Sequence, residues 1–356
     1  MSVDRRVPSA PGIVPPYLLA RIAAVPETRW ERAAHAARAT LEVHREYRPA
    51  PAAAPRIRSA VSSTPAAPRE IADAQHREEL PGVVVRREGE PPTADAVVDE
   101  AYDGLGATAS FFRDVYGRAG IDAEGGRLLA SVHYGRAYDN AFWNGERMVF
   151  GDGDGEVFRG FTGSLSVIAH ELAHGVTEDE GGLDYVGQSG ALNESLSDVF
   201  GVLTEQHARW QTAREASWLI GAEIFTEQVQ GMALRSLAQP GTAYDDDVLG
   251  RDPQPAHMRD FVVTADDNGG VHINSGIPNK AFHLVATALG GWAWERAGRI
   301  WYDTLVSRVL PRTCDFVTFA RATIATAAAV YGEVSEETDA VRSAWSGVGV
   351  IDDSTG

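Results

Sequence analysis

From residue 164 onward, apolar positions recur at three- and four-residue spacing. That period predicts helices over 164–178, 190–210, 215–230, 276–290, 293–309, 315–331 and 336–347. Between residues 70 and 160 the pattern changes. Short β-branched and aromatic runs, at 83–85, 128–134 and 147–150, are separated by Gly and Asp turns, which predicts strands with one helix near 94–117. A strand-rich part followed by a helix-rich part predicts an α+β fold with a site in the cleft between them. Ahead of this body, residues 27–47 predict an amphipathic helix. Trp30, Ala33, Ala34, Ala37 and Leu41 share one face, Thr28 and Glu31 suit a capping box, and Pro49 stops it. Residues 48–68 are rich in Pro, Ala and Ser, which suits an exposed, extended linker. The first 50 residues therefore read as a unit tethered to the rest, and composition alone also allows a disordered tail.

Composition narrows the chemistry. The 356 residues suggest about two domains. With 32 basic and 50 acidic residues the formal charge is −18, which argues against a basic face for nucleic acid or anionic lipid. Cys314 is the only cysteine, so an intramolecular disulfide is impossible and any transition metal must be held by His, Asp or Glu. The N-terminus does not read as a Sec signal, because prolines follow Arg5 and Arg6 and Arg21 interrupts the apolar run. No apolar stretch approaches the ~20 residues of a membrane span. The expectation is a soluble precursor made in the cytoplasm.

The sharpest local feature is His170-Glu171-Leu172-Ala173-His174. On a helix, positions i and i+4 share a face, so both imidazoles can reach one ion. Val167, Ile168, Leu172 and Val176 give that helix an apolar side, and Ser164 can cap it. Catalytic zinc takes three protein ligands and keeps an open position. The third can come from the next helix, where Glu194 follows His174 after one turn. Asp198, one helical turn beyond, is placed to accept the other N–H of a ligand histidine. Glu171 points away from the histidine seam but lies near enough to take a proton from a zinc-bound water. A surface histidine pair is the bland explanation, and it leaves the Glu/Asp helix unexplained.

HELAHGVTE followed by GALNESLSDVFG resembles the paired-helix signature of the thermolysin-like zinc metallopeptidases. Asp139 to Gly145, running into 148–155, and Asp267 to Gly276 agree with two further blocks, so the resemblance covers about residues 70–351. Pro15-Pro16-Tyr17-Leu18-Leu19 and the Pro/Ala-rich stretch look like the short propeptide and linker of the protealysin-like subgroup. The resemblance implies a two-lobed body. Residues 1–50 would be a propeptide in the active-site cleft and 51–69 its linker. Residues 70–178 would be a β-rich lobe with the zinc helix, and 179–356 a helical lobe. It implies zinc on His170, His174 and Glu194, with Asn193 and Asp198 behind the ligands and Glu171 as general base. His272, oriented by Asp267, and Tyr185 would stabilise the oxyanion. Asn140, the Ala141 backbone, Trp143 and Arg235 would hold substrate. Phe158, Phe161, Val167, Ile220, Ile224 and Leu234 match the apolar pocket for the residue after the scissile bond, with Phe161 larger than usual. The implied activity is a neutral endopeptidase cutting before bulky hydrophobic residues, made as an autoinhibited precursor, acting as a monomer on peptides or proteins and exported without a signal.

One departure stands out. At the family's paired calcium positions this chain keeps Glu205 but has Ser166, Ser217, Leu219 and Ala222, so a double-calcium site is expected to be absent. Gly151 to Gly155 reads as a turn rather than a calcium loop. A zinc aminopeptidase would share the ligands, but no G-x-M-E-N segment is present. A catalytically silent zinc protein fits poorly with the retained Glu171, Tyr185 and His272. A serine hydrolase lacks its G-x-S-x-G; Gly187 to Ala191 falls one residue short.

Overall fold

A computed structural model describes residues 12–46 and 67–352. Arg5, Arg6, Pro49, nearly all of the 51–69 linker and the Thr28 side chain of the expected capping box lie outside the described residues.

The N-terminal unit is two helices, α1 (Pro16–Ala23) and α2 (Glu27–Glu46). Pro16 opens α1 in the first turn, where its missing N–H is harmless. Trp30 breaks the helical geometry near the start of α2. Leu18, Leu19 and Ile22 of α1 and Trp30, Ala33 and Ala37 of α2 are buried in one apolar core with the rest of the chain. The unit is thus docked, not merely tethered, and its apolar face has a partner. α1 was not expected from periodicity, because eight residues give it barely two turns to display one.

The β-rich part is a five-stranded mixed sheet. It contains β1 (Arg69–Asp73), β2 (Val83–Arg87), β3 (Leu128–Val132), β4 (Ala141–Trp143) and β5 (Met148–Phe150), in the order β2-β1-β3-β5-β4. β1, β3 and β5 run parallel, and β2 and β4 pair antiparallel at the two edges. β1 reads as polar and carries no strand signal. Pairing with β2 and β3 and burial of Ile71 and Ala72 hold it, with ion pairs Arg69–Glu88 (2.6 Å) and Glu70–Arg87 (3.4 Å) on its outer side. α3 (Ala96–Tyr116) covers one face, capped by the Asp95 carboxylate on the Val97 amide (3.0 Å). On the opposite side, Tyr134, Tyr138, Phe142 and Val149 form a smaller cluster met by Val43 of α2.

α4 (Leu165–Asp179) and α5 (Gly187–Arg209) form the centre of the molecule. His170 faces Asp198 while His174 faces Asn193, so the two run antiparallel. They lie close together. A Cβ on Gly201 would come within 2.8 Å of the Ser166 carbonyl oxygen. Ser164 precedes α4, but its hydroxyl meets Ser166 Oγ at 3.1 Å and not a backbone amide, so the expected cap bond is replaced by a side-chain contact.

The expected helix over 215–230 does not form. Its apolar residues are used in pairing instead. β6 (Leu219–Ile220) pairs with β7 (Arg235–Ser236), and Phe158 bridges to Phe225. Trp218 and Gly221 both have positive φ, which a helix cannot accommodate. The C-terminal part continues through α6 (Asp267–Asn274), α7 (Gly276–Leu289), α8 (Ala297–Val306), α9 (Phe316–Tyr331) and α10 (Glu336–Gly347). Trp301 and Trp345 stack at 6.0 Å in its core, edged by Phe319. α8 starts later than the expected 293, after a turn closed by the Gly298 amide on the Ala293 carbonyl.

Candidate metal centre

α4 and α5 bring His170, His174 and Glu194 together, all buried. His170 Nδ1 donates to Asp198 (2.9 Å), and His174 Nδ1 donates to Asn193 Oδ1 (2.8 Å) with Ser197 Oγ at 3.1 Å. With both Nδ1 atoms committed as donors, the two Nε2 lone pairs face each other at 3.0 Å. Glu194 adds oxygens 3.6 Å from His170 Nε2 and 3.4 Å from His174 Nε2, and its Oε2 has no hydrogen-bond partner. Such convergence of lone pairs is repulsive without a cation. The separations lie around the ~3.4 Å edges of a tetrahedron with ~2.1 Å zinc bonds. Burial lowers both histidines to about 4, keeping them in the neutral form a metal needs. The residues therefore fit zinc.

Glu171 is buried beside this set, and neither carboxylate oxygen has a hydrogen bond within normal limits. Burial and the Glu194 charge push its carboxyl well up, against the amides of Trp143 and Ile13. Tyr185 donates to Glu194 Oε1 and lies 3.3 Å from His272 Nε2. His272 is aimed by an unusual turn. Asp267, Asn268, Gly269 and Gly270 all have positive φ, which Asp, Asn and Gly tolerate best. The turn lets Asp267 grip both the His272 amide (2.9 Å) and its Nδ1 (2.6 Å). Burial works against charge on His272, but Asp267 and Glu194 outweigh it and raise the ring to about 9.

The cleft is filled by Gly12, Ile13 and Val14. His272 Nε2 donates to the Gly12 carbonyl at 3.0 Å. The Ile13 amide donates to the Ala141 carbonyl at 3.0 Å, and Arg235 donates to the Ile13 carbonyl at 2.9 Å. Asn140 takes the Val14 amide on Oδ1 (2.9 Å) and gives Nδ2 to its carbonyl (3.0 Å). Trp143 is buried nearby, its indole N–H on Glu178 (2.9 Å). Phe158, Phe161, Val167, Ile220, Ile224 and Leu234 are all buried in the core that also takes Ile13 and Val14. Phe158 and Phe161 pack ring to ring at 5.6 Å.

Sequence reasoning missed several supports. Arg235 also forks onto Asp198 (2.8 and 2.9 Å), so it serves the metal side and the cleft side at once. Asn279 donates to Asp198 (2.9 Å), and Gln254 holds the His272 carbonyl (2.8 Å). Asn279 lies 81 residues from Asp198 and Gln254 18 residues from His272, and neither carries a local signal. Arg209 was likewise unforeseen. It pairs with Glu205 (2.6 Å) and also reaches Glu223 (3.0 Å).

A family model described as the thermolysin metallopeptidase catalytic domain matches residues 70–178, and one for its alpha-helical domain matches 181–350. An extracellular metalloprotease of Pectobacterium carotovorum subsp. carotovorum is 51% identical over 342 residues, covering 95% of this chain and 96% of that protein. A thermolysin of Alicyclobacillus acidocaldarius subsp. acidocaldarius is 39% identical, over 72% of this chain but 46% of its own length. The solved precursor of protealysin, a metalloproteinase from Serratia proteamaculans, matches with a TM-score of 0.86 at 49% identity, covering 96% of this chain and all of that one. Among the described residues no helix is long and apolar enough to cross a membrane.

Proposed function

The chain belongs to the thermolysin metallopeptidase family, in its protealysin-like branch, and on that premise we propose that it is an endopeptidase cutting before bulky hydrophobic residues, silenced by its own N-terminal unit. The carrying observation is the fully buried Glu171 carboxyl beside three converging metal donors. Zinc, when bound, supplies a Lewis acid for the scissile carbonyl and lowers the pKa of the water it holds towards about 7. Glu171 takes the proton from the attacking water and passes it to the leaving amine. His272, charged and held by Asp267, donates Nε2–H to the developing oxyanion, and the Tyr185 hydroxyl donates a second bond. Asn140, Ala141 and Arg235 hold the substrate main chain as they hold Ile13 and Val14. Trp143 walls the cleft. The six apolar residues around Phe158 and Leu234 receive the side chain after the cut, in a space narrowed by Phe161.

Residues 1–50 act as the propeptide and 51–69 as the linker whose cleavage frees it. The lobes at 70–178 and 179–356 form the mature body, a monomer. The Pectobacterium relative is named extracellular, which supports an extracellular site of action. The test is a peptide blocked at both ends. The linker-cleaved protein is expected to cut it before an internal Leu or Phe. Trimming only of free N-termini would favour an aminopeptidase.

Propeptide docking is expected to weaken in acid. His44 of α2 is buried against Tyr138 (2.8 Å) and Asn140 (3.3 Å), and its Nδ1 has no partner. Burial, helped by the His272 charge, lowers it from 6.5 to about 4. The released unit therefore binds a proton that the docked unit refuses. Docking is at full strength above pH 6.5 and declines as pH falls towards 4, by roughly 100-fold. Inhibition of the linker-cleaved enzyme by its retained propeptide, measured across this range, should show the decline, and His44→Gln should flatten it. Equal inhibition throughout would contradict the His44 assignment.

The double-calcium site is proposed to be absent. Ser166, Ser217, Leu219 and Ala222 offer no carboxylate, and the Arg209 guanidinium already pairs with both Glu205 and Glu223. Millimolar calcium is expected to shift the Tm by less than about 2 °C. A rise of many degrees would refute this.

A further inference from the structure

We propose that His76, His133 and Asp152 form a second binding site for a divalent transition-metal ion of the zinc type, separate from the His170–His174–Glu194 set. The three residues stand in the loops that follow β1, β3 and β5, at the carboxyl ends of three neighbouring parallel strands. Ligands gather at such strand ends because the loops there converge. His133 Nδ1 lies 2.9 Å from Asp152 Oδ1, and His76 Nδ1 lies 3.3 Å from Asp152 Oδ2. Each residue brings one donor atom within 4.8 Å of the other two, and small side-chain rotations close such a set to the ~3.4 Å edges of a zinc tetrahedron.

The surroundings hold this set in place. Asp95 Oδ2 sits 2.9 Å from His133 Nε2, while its Oδ1 caps α3. A carboxylate behind one ring nitrogen fixes the tautomer that leaves the other free to ligate. His76 is tied to the same loop by its amide on the His133 carbonyl (2.8 Å). Both histidines have positive φ, 57° and 52°, an uncommon conformation that brings their rings to 5.4 Å. An ion pair with Asp152 accounts for His133 alone. Two imidazoles turned to one carboxylate suit a cation better than double protonation, since two imidazolium charges at that distance repel. Burial opposes a proton on His133, yet its bonds to Asp152 and Asp95 raise its pKa, so protons and metal compete for Nδ1.

Imidazole nitrogen with one carboxylate oxygen suits zinc and its first-row neighbours over calcium or magnesium. The His76 side chain is 58% exposed, so the ion is open to water and exchanges faster than one buried between α4 and α5. Bound there, it ties three strand ends together.

The test uses the untagged full chain carrying Glu171→Gln, which removes the general base of the proposed function, with intact mass checked so that Gly12 to Val14 stay joined to the chain. The protein is equilibrated by dialysis with micromolar zinc, and the metal is counted by mass spectrometry. The expected result is two equivalents per chain. Adding His76→Ala, at an exposed position that spares the fold, should leave one, as should Asp152→Asn. A single equivalent without these changes, or two equivalents retained in both variants, would overturn the proposal.

Discussion

Replacing Glu171 by glutamine is expected to lower kcat/KM by about 100- to 10,000-fold, the range a general base contributes. Zinc content should not change, because Glu171 is not among the converging donors. The fold should be no less stable. Burial already disfavours charge on this carboxyl, so a neutral amide of the same shape is no harder to bury. Loss of activity with retained metal therefore separates the base from the ligands. The same variant should keep its linker intact on prolonged incubation, visible as an unchanged intact mass. Activity within tenfold of the parent would remove Glu171 from the mechanism. Normal linker cleavage would mean that another protease does the processing.

The second large effect falls on Asp198. Its two oxygens accept from His170 Nδ1 (2.9 Å), twice from Arg235 (2.8 and 2.9 Å) and from Asn279 (2.9 Å). Burial alone would raise its pKa, but Arg235 and His170 pull it well below the usual carboxylate range. Asp198→Ala strands the Arg235 guanidinium without a counter-charge in a dry site, which costs about 3–5 kcal/mol. At 2–4 °C per kcal/mol for a chain of this size, the Tm should drop by roughly 10 °C. His170 also loses the group that orients it, so zinc should bind roughly 10- to 100-fold more weakly. Adding Arg235→Met should recover part of the Tm, because the stranded charge is gone, but should not restore zinc affinity. If the single variant melts with the parent, Asp198 is not carrying this network.

The metal centre was legible because its geometry is local. His170 and His174 are one helical turn apart, and Glu194 follows one antiparallel return later. Helical period turns such spacings directly into positions in space. The run from Asp267 to Gly270 entered only through the family resemblance, and its left-handed backbone emerges from the fold. The misses share a cause. β1 offers only Ile71 and Ala72 as apolar positions, too few to show a strand pattern, and its pairing with β2 and β3 makes it a strand. Residues 215–230 have helical apolar spacing, but pairing with β7 and Phe158 wins over local preference. The forked contact of Arg235 with Asp198 and the Arg209 contact with Glu223 depend on where separate loops meet, which spacing does not encode. The docking of Gly12 to Val14 belongs to the same class. The family resemblance suggested a propeptide, but the individual hydrogen bonds to Asn140, Arg235 and His272 emerge only from the fold.

The blocked peptide, assayed with linker-cleaved protein before and after chelation, tests the central claim most directly. The account predicts one internal cut before Leu or Phe, lost when the metal is stripped and regained with one equivalent of zinc. Cleavage that survives complete removal of the metal, or no internal cleavage by the zinc-loaded mature form, would contradict it.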